Sequence, residues 1–205
     1  MRYLLLPLVL VTLAAPLVAQ MPTKAPGTPD PKQVTAGAYK VDTGHTQVIW
    51  EVNHLGFSNY LGTFGGVTGT MQLDPANPAA AKVNITIPGE GLVTTVPELT
   101  KHLGTADFFD FAKFPSATFN STKVEVNGTT AKITGDLTLH GVTKPVTLDV
   151  KFVGAGPGVM PPQATNVGFD ASTKIKRSEF GLGYGIPLVS DEVQLWINAA
   201  FEKTG

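Results

Sequence analysis

From Tyr39 onward, apolar and polar residues alternate with a period of two, in short runs rich in Val, Ile, Thr and Phe and bounded by Gly, Pro, Asn or Asp. A strand sends successive side chains to opposite faces, so each run presents one apolar face. Eight runs qualify: Val48, Trp50, Val52; Val67, Met71, Leu73; Val83, Ile85, Ile87; Ala117, Phe119, Ser121; Ile133, Leu137, Leu139; Val146, Leu148, Val150, Phe152; Phe169, Ala171, Thr173, Ile175; and Val193, Leu195, Ile197, Ala199. Residues 96–111 break the alternation. Pro97 suits the first turn of a helix, Thr94 or Thr95 can cap it, and Leu99, His102 and Leu103 recur at helical spacing. A short helix is expected there, followed by Phe108, Phe109 and Phe111, rings that must be buried against something. Residues 154–163 read as a Gly/Pro loop between hairpins. The fold class is therefore all-β and antiparallel, eight-stranded, with one short helix between strands. Eight strands close into a barrel, whose interior is packed or holds a small ligand, but they also build a two-sheet sandwich. Alternation alone leaves that choice open.

The first residues do not share this pattern. Arg2, an apolar run over 3–13 and Leu17-Val18-Ala19 before Gln20 have the layout of a secretory signal, so residues 1–19 are expected to be removed after Ala19. The run is short of the roughly 20 apolar residues that span a bilayer, and no later stretch approaches that length. Residues 20–38, with Pro22, Pro26, Gly27, Pro29 and Pro31, are expected as a Pro-rich disordered linker, leaving 39–203 as one domain. With no cysteine in 205 residues, disulfides, thiolate chemistry and a lipoprotein anchor at the cleavage point are excluded. Loss of Arg2 leaves 14 basic against 16 acidic residues, so bulk charge attracts neither nucleic acid nor a polyanionic surface.

Four segments carry a family resemblance. The opening YKVDTGHTQVIWEVNHLGFSNYLGTFGG contains Asp42, His45, Val52, His54, Gly56, Gly62 and Phe64 in order; KHLGTADFFDFAKFPSATFNSTKV follows; then GDLTLHGVTKPVTLDV; then KIKRSEFGLG. Together they resemble the YceI family over nearly the whole folded part. The resemblance implies a lipocalin-like barrel in the periplasm that binds, stores or transports a polyisoprenoid or related long-chain amphiphile, with no covalent chemistry and no cofactor beyond that lipid. A quinone or polyprenyl phosphate is the expected kind of ligand. One departure stands out: Leu99 and Thr100 occupy the place of an Arg-Asp pair common in the family.

On that reading the ligand-contacting candidates are Val48, Trp50, Val52, His54, Phe57, Phe64, Met71, Phe108, Phe109, Phe111, Phe119, Leu137, Leu148, Phe152, Phe169, Arg177 and Phe180. Small residues at Gly69, Ala117, Gly135, Ala171 and Ala199 alternate with large ones and argue for space inside, although packed barrels use the same taper. Arg177 ends the basic run Lys174-Ile175-Lys176-Arg177 and is the candidate partner for a phosphate head. His45, His54, His102 and His140 show no metal-ligand spacing. The competing readings are a lumen-based isomerase or cyclase using His54, Glu51 or Glu90, and a stress-response interaction module docking through its proline tail. Asn84, Asn120 and Asn127 head Asn-x-Ser/Thr triplets but suit ordinary strands and turns. Alternation does not address whether the protein forms a homodimer.

Overall fold

A computed structural model describes residues 23–160 and 163–204; the signal reading of 1–19 lies outside the described residues. Eight long antiparallel strands close on themselves, and three of them are broken in two. The first comprises β1 (Gly37–Val41) and β2 (Gln47–His54), both laid along β11 (Glu192–Lys203), with Tyr39 opposite Lys203 and Val48 opposite Ile197. The second comprises β3 (Ser58–Phe64), paired with β2, and β4 (Thr68–Leu73), paired with β1. The third is β5 (Lys82–Pro88) on β4 and β6 (Leu92–Val93) on β3. From there β7 (Ser116–Asn127), β8 (Thr130–Leu139), β9 (Val142–Pro157) and β10 (Thr165–Lys176) run as a meander back to β11. The β1–β11 pairing closes the ring, which leaves none of the long strands at an unpaired edge along its whole length. The closing pair settles the choice that alternation leaves open: the strands form a barrel, not a sandwich.

All eight runs read from alternation are strands. β1, β3 and β6 are additional halves, too short or too polar to stand out. The helix α1 (Pro97–Leu103) starts with Pro97 in its first turn, as expected, but its N-cap is Val96. Thr94 turns instead to Thr100, its N–H donating to Thr100 Oγ1 at 3.0 Å and the two hydroxyls meeting at 2.9 Å. β6 pairs with β3 alone, and α1 with the following aromatic segment covers the interior where the third strand breaks. Leu99, Leu103, Phe108, Phe109 and Phe111 pack there against Trp50, Leu92 and Val193.

Two boundaries differ from expectation. β9 continues to Pro157 opposite Thr165, so the loop expected over 154–163 contracts to the link between β9 and β10. The described part of 20–38 is not a free linker. Thr28 exchanges two backbone hydrogen bonds of 2.9 Å with Ala155, Asp30 caps the turn Pro31–Gln33, and Val34 packs against the cluster around Tyr39. The composition of this segment is too poor to form a core, but it only has to lie on one. Gly154 and Gly156 lack the Cβ atoms that would meet the carbonyl oxygens of Thr28 and Pro26, so the segment runs across the backbone of β9.

Starting the chain at Thr35 removes two backbone hydrogen bonds and the Val34 contact, worth roughly 2–3 kcal/mol. For a domain of this size the thermal midpoint is expected to fall by about 5 °C or more, with increased binding of an apolar fluorescent dye because Pro31 and Val34 line the interior. Calorimetry and dye titration check this; an unchanged midpoint would make the segment a bystander.

Candidate functional site

The inward residues of β11, read in order, explain the interior. Val193 faces one chamber, Leu195 faces two, and Ile197, Ala199 and Phe201 face the second. β8 gives the reverse order, with Ile133, then Leu137 shared, then Leu139. Two chambers are thus stacked along the barrel, of about 350 Å3 and about 470 Å3. Val48, Ile87, Leu137 and Leu195 line both and form the waist between them.

The smaller chamber lies toward the N-terminal segment. Of the sequence candidates, Met71, Phe119, Leu148, Phe152 and Phe169 line it, with the waist residues Val48 and Leu137. Ala171 and Ala199 contribute the space expected of small residues, whereas Gly135 is covered by the Phe119 ring and Gly69 by the backbone of Asn84. Its polar side chains are four threonines, three of them bonded to backbone: Thr46 Oγ1 donates to Ala200 O at 3.1 Å and accepts from Ala200 N–H at 3.0 Å, Thr173 Oγ1 donates to Thr147 O at 2.9 Å, and Thr130 Oγ1 donates to Asn127 O at 2.9 Å. The fourth, Thr129, is exposed on the β7–β8 turn at the chamber's end.

The larger chamber gathers Trp50, Val52, His54, Phe64, Phe108, Phe109, Phe111 and Arg177, together with Leu99, Tyr60 and Tyr184. Phe109 stacks on Phe111 with centroids 5.4 Å apart and meets Phe64 edge-on at 5.6 Å, so the aromatic cluster forms one wall. Three histidines, dispersed in sequence, arrive at this chamber. His140 Nδ1 donates to Phe180 O at 3.2 Å, His102 Nε2 donates to Asp107 at 2.9 Å, and His54 ends β2 at the rim. No grouping suited to a metal ion occurs among the described residues. Tyr60 OH lies 3.2 Å from Thr95 Oγ1, and hydrogen bonds from Thr95 and then Thr94 hold its pKa below the ordinary phenol value. The Trp50 indole lies over Gly62, where a Cβ would collide with it. Its Nε1–H has no acceptor among the described residues although the residue is only 8% exposed. Among the described residues no carboxylate lines either chamber; Glu51 instead accepts from Asn59 on the outer face.

Three placements overturn expectations. Phe57 is not in the interior: it sits on the β2–β3 turn and is 89% exposed. Phe180 is buried, 1% exposed, but packs with Phe119 and Leu137 in the wall and does not line a chamber. Arg177 lines the larger chamber and is 6% exposed, but four of its five N–H donors are already engaged. Nε donates to Ser190 O at 2.9 Å, Nη1 to Leu182 O at 2.6 Å and Tyr184 O at 2.8 Å, and Nη2 to Val189 O at 2.9 Å. Burial pulls its pKa down, partly opposed by Asp191. Asp191 itself accepts from Ser178 N–H and Oγ, each at 2.8 Å, the backbone bond being the main cause of its lowered pKa. Arg177 is thus the internal brace of the loop between β10 and β11 that forms the rim. Leu99 and Thr100 are likewise structural, Leu99 against the Trp50 cluster and Thr100 against Thr94.

What this arrangement can do is bind an elongated apolar molecule, with a few polar groups confined to one end. A model of the YceI-like domain matches residues 39–201. Protein YceI of Escherichia coli O157:H7 is 45% identical over 165 residues, covering 80% of this chain and 85% of that protein. The crystal structure of Burkholderia cenocepacia BcnA superposes with a TM-score of 0.70 at 26% identity, covering 78% of this chain and 98% of that one. A polyisoprenoid binding domain from Saccharophagus degradans superposes with a TM-score of 0.59 over 81% of this chain and 98% of that one; at 15% identity, this is a likeness of fold.

Replacing Arg177 by Met leaves four loop carbonyls without donors. A loss of roughly 3 kcal/mol is expected in urea unfolding, with Arg177→Lys recovering part of it. Wild-type stability in R177M would assign the guanidinium to something other than the loop.

Proposed function

This chain belongs to the YceI family, and from that membership we propose that it binds, stores or carries a long isoprenoid lipid in the periplasm without altering it. The observation that carries the reading is the pair of apolar chambers stacked along the barrel and sharing four wall residues, a layout suited to one long chain if those side chains part to let it cross. Apolar burial contributes about 0.8 kcal/mol per CH2, so a prenyl chain threading both chambers has ample gross affinity after the cost of ordering it. The tail belongs in the smaller chamber, whose lining is almost wholly aliphatic and aromatic. The head belongs beside Trp50, His54 and Tyr60.

The state of Arg177 favours a neutral head of the quinone type over a phosphate. A phosphate needs several free donors or a net positive lining, and the guanidinium has one N–H left. A quinone carbonyl needs a single donor, and the histidines that line this chamber carry ring N–H groups. An isomerase or cyclase acting inside the barrel is less favoured, since Glu51 and Glu90 do not line the chambers. Docking through the proline tail is disfavoured because the tail is laid on the barrel from Thr28 onward. A signal-like start accords with export to the periplasm.

Mass spectrometry of a solvent extract, from protein purified without detergent from its own host, is expected to give one isoprenoid per chain. An empty extract that stays empty after incubation with quinones and polyprenyl phosphates would sink the reading. Leu195→Trp, which fills the waist, is expected to shift the bound population to shorter chains; an unchanged chain-length profile would mean that the ligand does not cross it.

A further inference from the structure

The rim of the larger chamber carries a tip whose composition the fold does not require. On the β2–β3 turn, Leu55 and Gly56 both have positive φ, 58° and 73°, a geometry in which hairpins ordinarily place Asn and Gly. Leu55 is a bulky apolar residue in that strained position, half-exposed, and Phe57 beside it is 89% exposed. Leu55 N–H donates to Leu188 O at 2.8 Å, and His54 bridges Val189, so the loop between β10 and β11 lies against this turn. That loop adds Leu188, 65% exposed, and Tyr184, 53% exposed. Residues 53–60 and 181–190 contain no Asp, Glu, Lys or Arg, in a chain of which 15% is charged. The chain thus concentrates exposed aliphatic and aromatic side chains, stripped of charge, around one mouth.

We propose that this tip inserts into the interfacial region of a phospholipid bilayer and docks the larger chamber's mouth on the membrane for lipid exchange, a proposal that rests on the lipid-carrier reading of the same chamber. The occupant follows from continuity and charge. His54, Val189 and Tyr184 line the chamber while Leu55, Phe57 and Leu188 beside them are exposed, so the tip adjoins the cavity's own lining. A ligand of that chamber then passes between bilayer and barrel with little exposure of its chain to water. Charges near the tip, Glu51 on Asn59 and Asp107 on His102, lie outside residues 53–60 and 181–190, so the tip enters the interface by apolar burial, and the expected binding is insensitive to both anionic lipid content and salt. Arg177 inside the loop lets Leu188 and Tyr184 be presented on a braced backbone.

The test is co-sedimentation of the full mature protein with phosphatidylcholine vesicles, with and without phosphatidylglycerol, at low and high salt. Wild type is expected to sediment equally in all four. Phe57→Ser combined with Leu188→Ser is expected to weaken partitioning by at least about tenfold and to slow lipid transfer from vesicles, while loading from detergent solution stays at the wild-type level. Phe57→Trp, which does not depend on loss of binding, is expected to give a blue-shifted emission on adding vesicles. No sedimentation of wild type, equal sedimentation of the double variant, or no spectral shift would each overturn the proposal. Binding confined to vesicles that carry native membrane proteins would also overturn it and assign the tip to a protein. Docking by a protein whose extract holds no isoprenoid would keep this inference and remove the cargo; cargo without docking would do the reverse.

Discussion

The pairing of β11 with three neighbours is the constraint on which the rest of the structure depends. β10 runs along one side for the full length of β11, while β2 and then β1 share the other. This closes the hydrogen-bonded ring and fixes the inward register of residues 193, 195, 197, 199 and 201, so both chambers and the waist are defined along a single strand. An apolar cavity tends to collapse because filling it regains dispersion contacts. Here the wall resists collapse because it is a closed ladder, and narrowing it would break backbone bonds around the whole circumference.

The breaks in the first three strands then decide where the interior is accessible. At 42–46 the chain turns through Asp42, whose carboxylate accepts from Gly44 N–H and from His45 Nδ1. At the other two breaks Gly65 N–H donates to Gly91 O, tying the second strand's break to the third's. Beyond that point β6 follows β3 away from β7, and α1 with its aromatic segment covers the place. A cover made of side chains opens at lower cost than a ladder of backbone bonds, because packed side chains change rotamer independently while strand pairs separate cooperatively. The larger chamber is bounded by such covers, α1 on one side and the loop braced by Arg177 on the other.

Much of this was legible in the chain. Alternation marks a strand wherever one face is buried, so all eight runs stand out. It is blind to β1, β3 and β6, whose burial is too short or too shared with polar residues to leave a period. The choice between barrel and sandwich came from resemblance, since closure is a long-range pairing that local pattern does not encode. Most of the candidates line a chamber because an inward apolar residue of a barrel faces whatever space exists. Phe57 and Phe180 were misplaced because hydrophobicity gives no direction; for Phe57 the Leu-Gly pair before it was a turn signal that hydrophobicity overrode. Arg177 read as surface or head-group charge because the carbonyls that surround it come from residues 182–190, whose path no local rule supplies.

The two ends of the interior differ in a way that matters for any amphiphile. Three of the four threonines that line the smaller chamber are bonded to backbone, and that end is capped by a segment held through backbone pairing with β9. At the larger chamber three histidines and two tyrosines converge, and the Trp50 indole is buried in the wall over Gly62. The polar side chains that can meet a polar group are thus gathered at one end of the interior, while the other end offers mainly aliphatic and aromatic surface. That asymmetry by itself orients an amphiphile along the barrel axis, without any ion pair.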